Sequence, residues 1–222
     1  MELYNLIQTL FALDTMHRIT VSVLPIIFAI TVHEAAHGYA ARYFGDMTAA
    51  AAGRITLNPI RHIDPVGTLL VPTITMLIGG ILFGWAKPVP VDFSRLRNPK
   101  RDMFWVAAAG PGANLVMALL WALAIKLSPL FPAYVATPLV LMGAAGIMIN
   151  VVLMVLNLLP LPPLDGGRIA VSLLPDNLAM RFAKIEPYGF LILIVLLFTH
   201  ILDKIMWPFI LVVLALISSL FF

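Results

Sequence analysis

Apolar residues in this chain come in long blocks rather than in the alternating or one-face patterns of a soluble domain, and the blocks predict its elements. Ile19 to Tyr43, Phe104 to Leu127 and Thr137 to Leu159 are each long enough to cross a bilayer core of about 30 Å as a helix. Tyr188 to Leu202 and Ile205 to Phe222 read as two C-terminal helices split by Asp203-Lys204. Val66 to Gly84 is also apolar, but Pro72 and Gly79-Gly80 interrupt it. Met1 to Leu13 is too short to span and reads as an interfacial helix or a loose segment, without the basic flank and small-residue cleavage site of a signal peptide. No internal repeat or low-complexity tract divides the chain, so residues 1–222 are expected to form a single membrane-embedded domain, all-α and polytopic.

Composition agrees with the pattern. Of 222 residues, 61% are apolar and 11% charged, with a mean hydropathy of +1.00, whereas a soluble domain carries about 25% charged residues. A net charge of +3 and a pI near 9.4 do not indicate a nucleic-acid partner, because the basic residues sit in short loops between apolar blocks and report topology instead. Cysteine is absent, so any metal site must use His, Asp or Glu.

Inside the first spanning block lies His33-Glu34-Ala35-Ala36-His37. Residues four apart share one face of a helix, so both imidazoles can reach one ion. Ionisable groups within a span are costly and point to function, and H-E-x-x-H on a helix fits zinc held by two His with the Glu as general base. Glu34 is unsuited to be a third ligand, since its side chain projects about 100° around the helix from that of His33. A catalytic zinc needs one more protein ligand and an open position. Asp165 qualifies, following helix-stopping prolines and preceding Gly166-Gly167, which let the backbone turn. Local chemistry alone allows an ordinary Asp-Gly turn there equally well. Asp64, Asp92, Glu186 and His62 are competing ligands that read as solvated loop residues, and His17 and His200 carry no functional signal.

Bringing Asp165 to the His pair requires the first and third full spans to run in the same direction. With 104 to 127 returning between them, the 66–84 block must begin and end on one side, as a re-entrant segment or hairpin. Positive-inside counting agrees: eleven Lys and Arg fall in the loops on the Asp165 side and three, Arg18, Lys126 and Lys204, on the other. The first side is then cytoplasmic. His33 lies ~21 Å along its helix, which leaves a metal roughly 10 Å below the cytoplasmic face.

Further motifs run along the chain: Asn58-Pro59 with His62-Ile63-Asp64-Pro65-x-Gly67-Thr68, then Gly84-Trp85-Ala86-Lys87-Pro88-Val89-Pro90-Val91, then Ala108-Ala109-Gly110-Pro111-x-Ala113-Asn114-Leu115, and Asn157-Leu158-Leu159-Pro160-x-Pro162-x-Leu164-Asp165-Gly166-Gly167-Arg168. With His33-Glu34-x-x-His37 they cover residues 20–170 in an order that resembles the site-2 protease family of intramembrane zinc metalloproteases, in its compact bacterial or archaeal form without an inserted PDZ domain. The resemblance implies one Zn2+ per chain bound by His33, His37 and Asp165, with Glu34 as catalytic acid and base. It also implies a multi-pass protein of a prokaryotic cell membrane, partnered by the lipid bilayer and by transmembrane protein substrates. Oligomeric state is not indicated.

Three motif segments have weaker assignments. Asn114 is a candidate oxyanion or substrate donor, or else a helix-helix hydrogen bond among small residues. Asn157 has the same candidate role, or caps a breaking helix. Lys87, Pro88 and Val89 alternate as an edge strand does. In the resembled family a similar loop is thought to pair with unwound substrate, and a proline-restrained surface loop is the alternative. The expected architecture is three transmembrane helices around zinc, a re-entrant segment at 66–84, a short β-like loop at 85–91 and two C-terminal helices. The expected activity is endopeptidase cleavage in or near transmembrane segments; a zinc carrier and an inactive membrane scaffold are the competing readings.

Overall fold

The computed structural model of the protein describes residues 3–71, 74 and 86–222, and among them helix is the only regular structure. The three predicted spans are α2 (Thr15–Tyr43), α4 (Pro99–Leu127) and α5 (Ala133–Asn157), with α1 (Leu3–Ala12) and the short α3 (Thr48–Ala51) flanking α2. After α5 come α6 (Asp165–Leu173), α7 (Asp176–Ala183), α8 (Glu186–Phe198) and α9 (Ile201–Phe221). Among the described residues α2, α4, α5 and α9 are long and apolar enough to cross a membrane, and the protein is a multi-pass membrane protein.

The ends of these helices follow local chemistry that hydropathy does not register. Asp14 caps α2, its Oδ1 accepting the backbone N–H groups of Met16 and His17, so the helix starts before the apolar block. Pro99 occupies the first turn of α4, where a missing N–H costs nothing, and the Asp102 carboxylate accepts the N–H of Asn98 at 2.8 Å. The division between the two C-terminal helices lies at His200, whose left-handed backbone (φ 57°) ends the run. Asp203 and Lys204, expected at that division, sit in the first turn of α9, where an acidic side chain suits the helix N-terminus. Residues 3–12 form a helix rather than a loose segment: α1 buries Leu3, Leu6, Ile7 and Leu10 on one face, and Leu3, Leu6 and Ile7 join the core that contains Ile147, Val151, Leu202 and Met206.

Helix directions can be read from individual contacts. Val106 meets His37 while Asn114 meets His33 and Ala29, so α4 runs antiparallel to α2. Asn114 meets Asn150, and the Trp121 indole lies against Gly146, so α5 runs antiparallel to α4 and parallel to α2. Small residues make these approaches possible: Ala29, Ala118, Ala122 and Ala144 have no exposed surface. The end of α2 and the start of α4 therefore meet at one end of the bundle. There the Arg97 N–H donates to the Phe44 carbonyl at 2.9 Å and the Asp92 N–H to Asp46 Oδ2 at 2.8 Å.

Between those two points, Asp64 caps a wide helical turn over Pro65–Leu70, accepting the N–H groups of Val66 and Gly67. The rest of the fold-back expected at 66–84 lies outside the described residues, apart from Val71 and Ile74. Within the β-like loop expected at 85–91, residues 86–91 are irregular and pair with no strand among the described residues.

Candidate metal centre

Two imidazoles and one carboxylate converge where α2, α4 and the start of α6 meet. His33 Nε2 and His37 Nε2 are 3.1 Å apart, and Asp165 Oδ2 lies 3.3 Å from each. The HExxH spacing brings the His pair to one face of α2. Asp165 arrives from the opposite partner, because α5 ends at Asn157 and the chain turns through its proline stretch directly into α6. Gly166 is required there by closeness rather than by an unusual backbone angle. A Cβ on it would stand 2.3 Å from the carbonyl oxygens of both Leu158 and Leu159, so any side chain would push Asp165 away. Gly110 of α4 backs the triangle in the same way, since its Cβ would lie 2.3 Å from His37 Nε2 and 2.7 Å from His33 Nε2.

The donor set fits a zinc ion. In tetrahedral coordination with Zn–N and Zn–O near 2.0–2.2 Å, neighbouring ligand atoms stand about 3.3 Å apart, which matches the triangle. Each imidazole is oriented through its outer nitrogen. His37 Nδ1 donates to the Val106 carbonyl at 2.7 Å, and His33 Nδ1 donates to Asn114 Oδ1 at 2.6 Å. Both Nε2 atoms thus present lone pairs to Asp165 Oδ2, which is buried with no hydrogen-bond donor. Three lone pairs aimed at one point need a cation between them.

Glu34 stands beside this triangle and is oriented by the backbone. Its Oε2 accepts the Val89 N–H at 2.8 Å, leaving Oε1 as the other oxygen of the base candidate. Lys87 donates its N–H to the His62 carbonyl at 2.9 Å, and Arg54 Nη2 reaches the carbonyls of Lys87 and Pro88 at 3.0 and 3.3 Å. Pro88 and Pro90 have no N–H. The loop is thus tied down on its inner side by three separate partners.

The remaining candidates sit as follows. Asn114 is fully buried: its Oδ1 accepts from His33, and its Nδ2 donates to Asn150 Oδ1 at 2.9 Å and to the Ala29 carbonyl at 3.3 Å, so both ends of its amide are engaged within the bundle. Asn157 donates to the Leu153 carbonyl of its own helix at 3.0 Å. Of the competing ligands, His62 bonds the Thr56 carbonyl, Asp92 caps the turn at 93–95 and pairs with Arg95, Asp64 caps its own turn, and Glu186 lies 3.6 Å from Arg168. Gly110 and Asn150 are site residues that the sequence reading did not single out. The signal for Asn150 was present, an amide in the middle of the apolar run Ile147 to Val155.

Two imidazoles and a carboxylate that could hold a cation, with a second carboxyl group alongside and membrane-length helices around them, fit a membrane-embedded metallohydrolase. Residues 132–200 match Peptidase family M50. The chain is 40% identical over 190 residues to "Putative zinc metalloprotease YwhC" of Bacillus subtilis (strain 168), covering 84% of each. It is 34% identical over 184 residues to "Putative zinc metalloprotease Rip2" of Mycolicibacterium smegmatis (strain ATCC 700084 / mc(2)155), covering 80% of this chain and 66% of that one. No solved structure matches it significantly. The chain belongs to peptidase family M50, the site-2 protease family of zinc metalloproteases.

Proposed function

We propose that this metalloprotease is an endopeptidase that hydrolyses peptide bonds within or beside transmembrane segments of other membrane proteins, using one zinc ion held by His33, His37 and Asp165. The observation that carries this reading is the convergence of His33 Nε2, His37 Nε2 and Asp165 Oδ2 next to Glu34, inside a bundle of membrane-length helices. Zinc bound there supplies Lewis acidity to a carbonyl oxygen and to an attacking water. Glu34 takes a proton from that water at Oε1 as the oxygen adds to the carbonyl carbon. It then returns the proton to the leaving nitrogen as the C–N bond breaks, giving a carboxylic acid and an amine. Val89, through its N–H, holds Oε2 so that the base points consistently. Asn114 orients His33 rather than serving the oxyanion, because both ends of its amide are engaged.

The loop at 86–91 is the proposed docking strip for an unwound substrate, and residues 1–222 act as one domain. The surplus of cationic residues around the end of the bundle where α2 stops and α4 starts supports an opening toward the cytoplasm of a prokaryotic cell membrane. Among the described residues His33, His37 and Asp165 are the one metal-competent cluster, whereas a carrier needs ligands along a path.

Purified wild type and Glu34→Gln, assayed for bound zinc and for cleavage of a panel of transmembrane substrates, test the reading. Zinc in both proteins, with cleavage in the variant down by about 100- to 10,000-fold, is the expected result. Undiminished cleavage by Glu34→Gln refutes the assigned base, and zinc retained after combined His33→Ala and Asp165→Ala refutes the ligand set.

A further inference from the structure

His33 and His37 present the same nitrogen to the metal triangle, but their outer nitrogens are held by different kinds of group. His37 Nδ1 faces the backbone carbonyl of Val106. A carbonyl oxygen only accepts, so Nδ1 must carry the proton and Nε2 must keep its lone pair. His33 Nδ1 faces a side-chain amide instead, that of Asn114. Rotated by 180°, that amide would offer an N–H in place of an oxygen and would demand the opposite tautomer, with the proton on Nε2 where the metal should sit.

The amide of Asn114 is fixed from behind. Its Nδ2 lies 2.9 Å from Asn150 Oδ1 and, more weakly, 3.3 Å from the Ala29 carbonyl. Asn150 is fixed in turn, because its Nδ2 lies 2.8 Å from the Gly146 carbonyl. Reversing both amides together would press oxygen against oxygen at Gly146 and at Ala29. Neither Asn114 nor Asn150 has any exposed surface, so water cannot relieve that mismatch. The chain of hydrogen bonds thus runs from a backbone carbonyl of α5 through two amides to the imidazole of α2, and it has one consistent direction.

We propose that Asn150 is a positioning residue for the metal centre: acting through Asn114, it sets the tautomer of His33 so that Nε2 is free to bind metal. The proposal rests on the reading of His33 as a ligand. It makes Asn150, which touches neither metal nor substrate, a determinant of metal affinity.

Two measurements on the full chain test this. The first is the 15N spectrum of metal-free protein labelled at histidine, with His33 assigned through His33→Gln. The wild type should show a protonated Nδ1 and a bare Nε2 at His33. A bare Nδ1 with the proton on Nε2 overturns the proposal with no variant at Asn150 needed.

The second is zinc competition against a chromophoric chelator in two variants of similar shape. Asn150→Leu fills the space but cannot accept from Asn114, and should mix the His33 tautomers and weaken zinc about 10- to 100-fold. Asn150→Asp still accepts from Asn114, and as a neutral acid can also donate to the Gly146 carbonyl, so zinc affinity and tautomer should stay close to wild type. Unchanged zinc affinity and tautomer in Asn150→Leu overturns the proposal, as does equal weakening by both variants, which would mark a packing role. A wild type that binds no zinc refutes the ligand reading instead, while the 15N spectrum still decides the direction of the hydrogen-bond chain.

Discussion

Glu34 and Val89 are joined by a hydrogen bond from the Val89 backbone N–H to Glu34 Oε2 at 2.8 Å. This contact links the proposed general base, on the helix that carries the His pair, to a loop 55 residues away in the chain. Pro88 and Pro90 flank Val89, so between Lys87 and Val91 the Val89 amide is the one exchangeable backbone proton. Any substrate strand that pairs with this edge of the loop at Val89 must take that proton from Glu34. Under the proposed docking, binding in the loop would therefore be coupled to the orientation of Glu34.

The consequence is measurable without substrate. A peptide spanning 87–91 should show slow amide exchange at Val89 in the wild type and in Glu34→Gln, which keeps an acceptor oxygen. Glu34→Ala should exchange faster by about tenfold or more, since a hydrogen bond to a charged acceptor contributes about 1.5–3 kcal/mol. Equal exchange in wild type and Glu34→Ala, followed by mass spectrometry, would refute the contact.

Gly110 and Gly112 lie two residues apart on α4, yet their surroundings differ completely. A methyl group at 110 would overlap His37 Nε2 and His33 Nε2, whereas one at 112 meets nothing within 4 Å. Gly110→Ala should abolish stoichiometric zinc binding. Gly112→Ala should retain it and leave thermal stability unchanged or slightly raised, by up to about 1 kcal/mol from helix propensity. Metal analysis and thermal unfolding of the two variants give the comparison.

Orientation in the membrane can be read with single cysteines, because the native chain has none. Ser94, exposed beside the start of α4, and Tyr134, 80% exposed at the start of α5, mark opposite ends of the bundle. In intact cells a membrane-impermeant thiol reagent should label Tyr134→Cys and spare Ser94→Cys. The reverse pattern would place the metal site toward the outside.

Asp46 fastens the end of α2 to the loop that carries Val89. Burial alone would raise its pKa, but the Thr48 hydroxyl and the N–H groups of Thr48 and Asp92 outweigh burial and hold the carboxyl below its usual range. A folded-state pKa below the unfolded one means stability that is complete above the unfolded value, near 4, and lost as pH falls through the folded value. The midpoint of thermal unfolding should therefore fall as pH drops below about 4. Asp46→Asn should be less stable at pH 6 and show a shallower decline toward pH 3. An identical pH profile in the two proteins would show that Asp46 contributes nothing.

Much of this protein was legible in its sequence for a simple reason. The bilayer is a strong and uniform solvent, so helix identity depends on block length and hydropathy, and the three metal-centre spans followed directly. The His pair was equally legible because HExxH is a local pattern whose geometry is that of one helix turn. Even the shared direction of α2 and α5 followed, since Asp165 can reach the His pair in no other way. Helix ends were less legible, because they depend on single caps such as Asp14 and on one left-handed residue, His200, rather than on hydropathy.

Tertiary structure alone decided the surroundings of the site. Nothing local distinguishes an Asn that meets substrate from one that orients a neighbouring side chain, so Asn114 stayed ambiguous until its three partners, His33 and Ala29 on α2 and Asn150 on α5, were in place. Asn150 and Gly110 matter only through groups on other helices, at distances that no spacing rule encodes. The sequence by itself determined which residues are candidates for the chemistry; packing decided which way their side chains point, because direction is set by neighbours far apart in the chain.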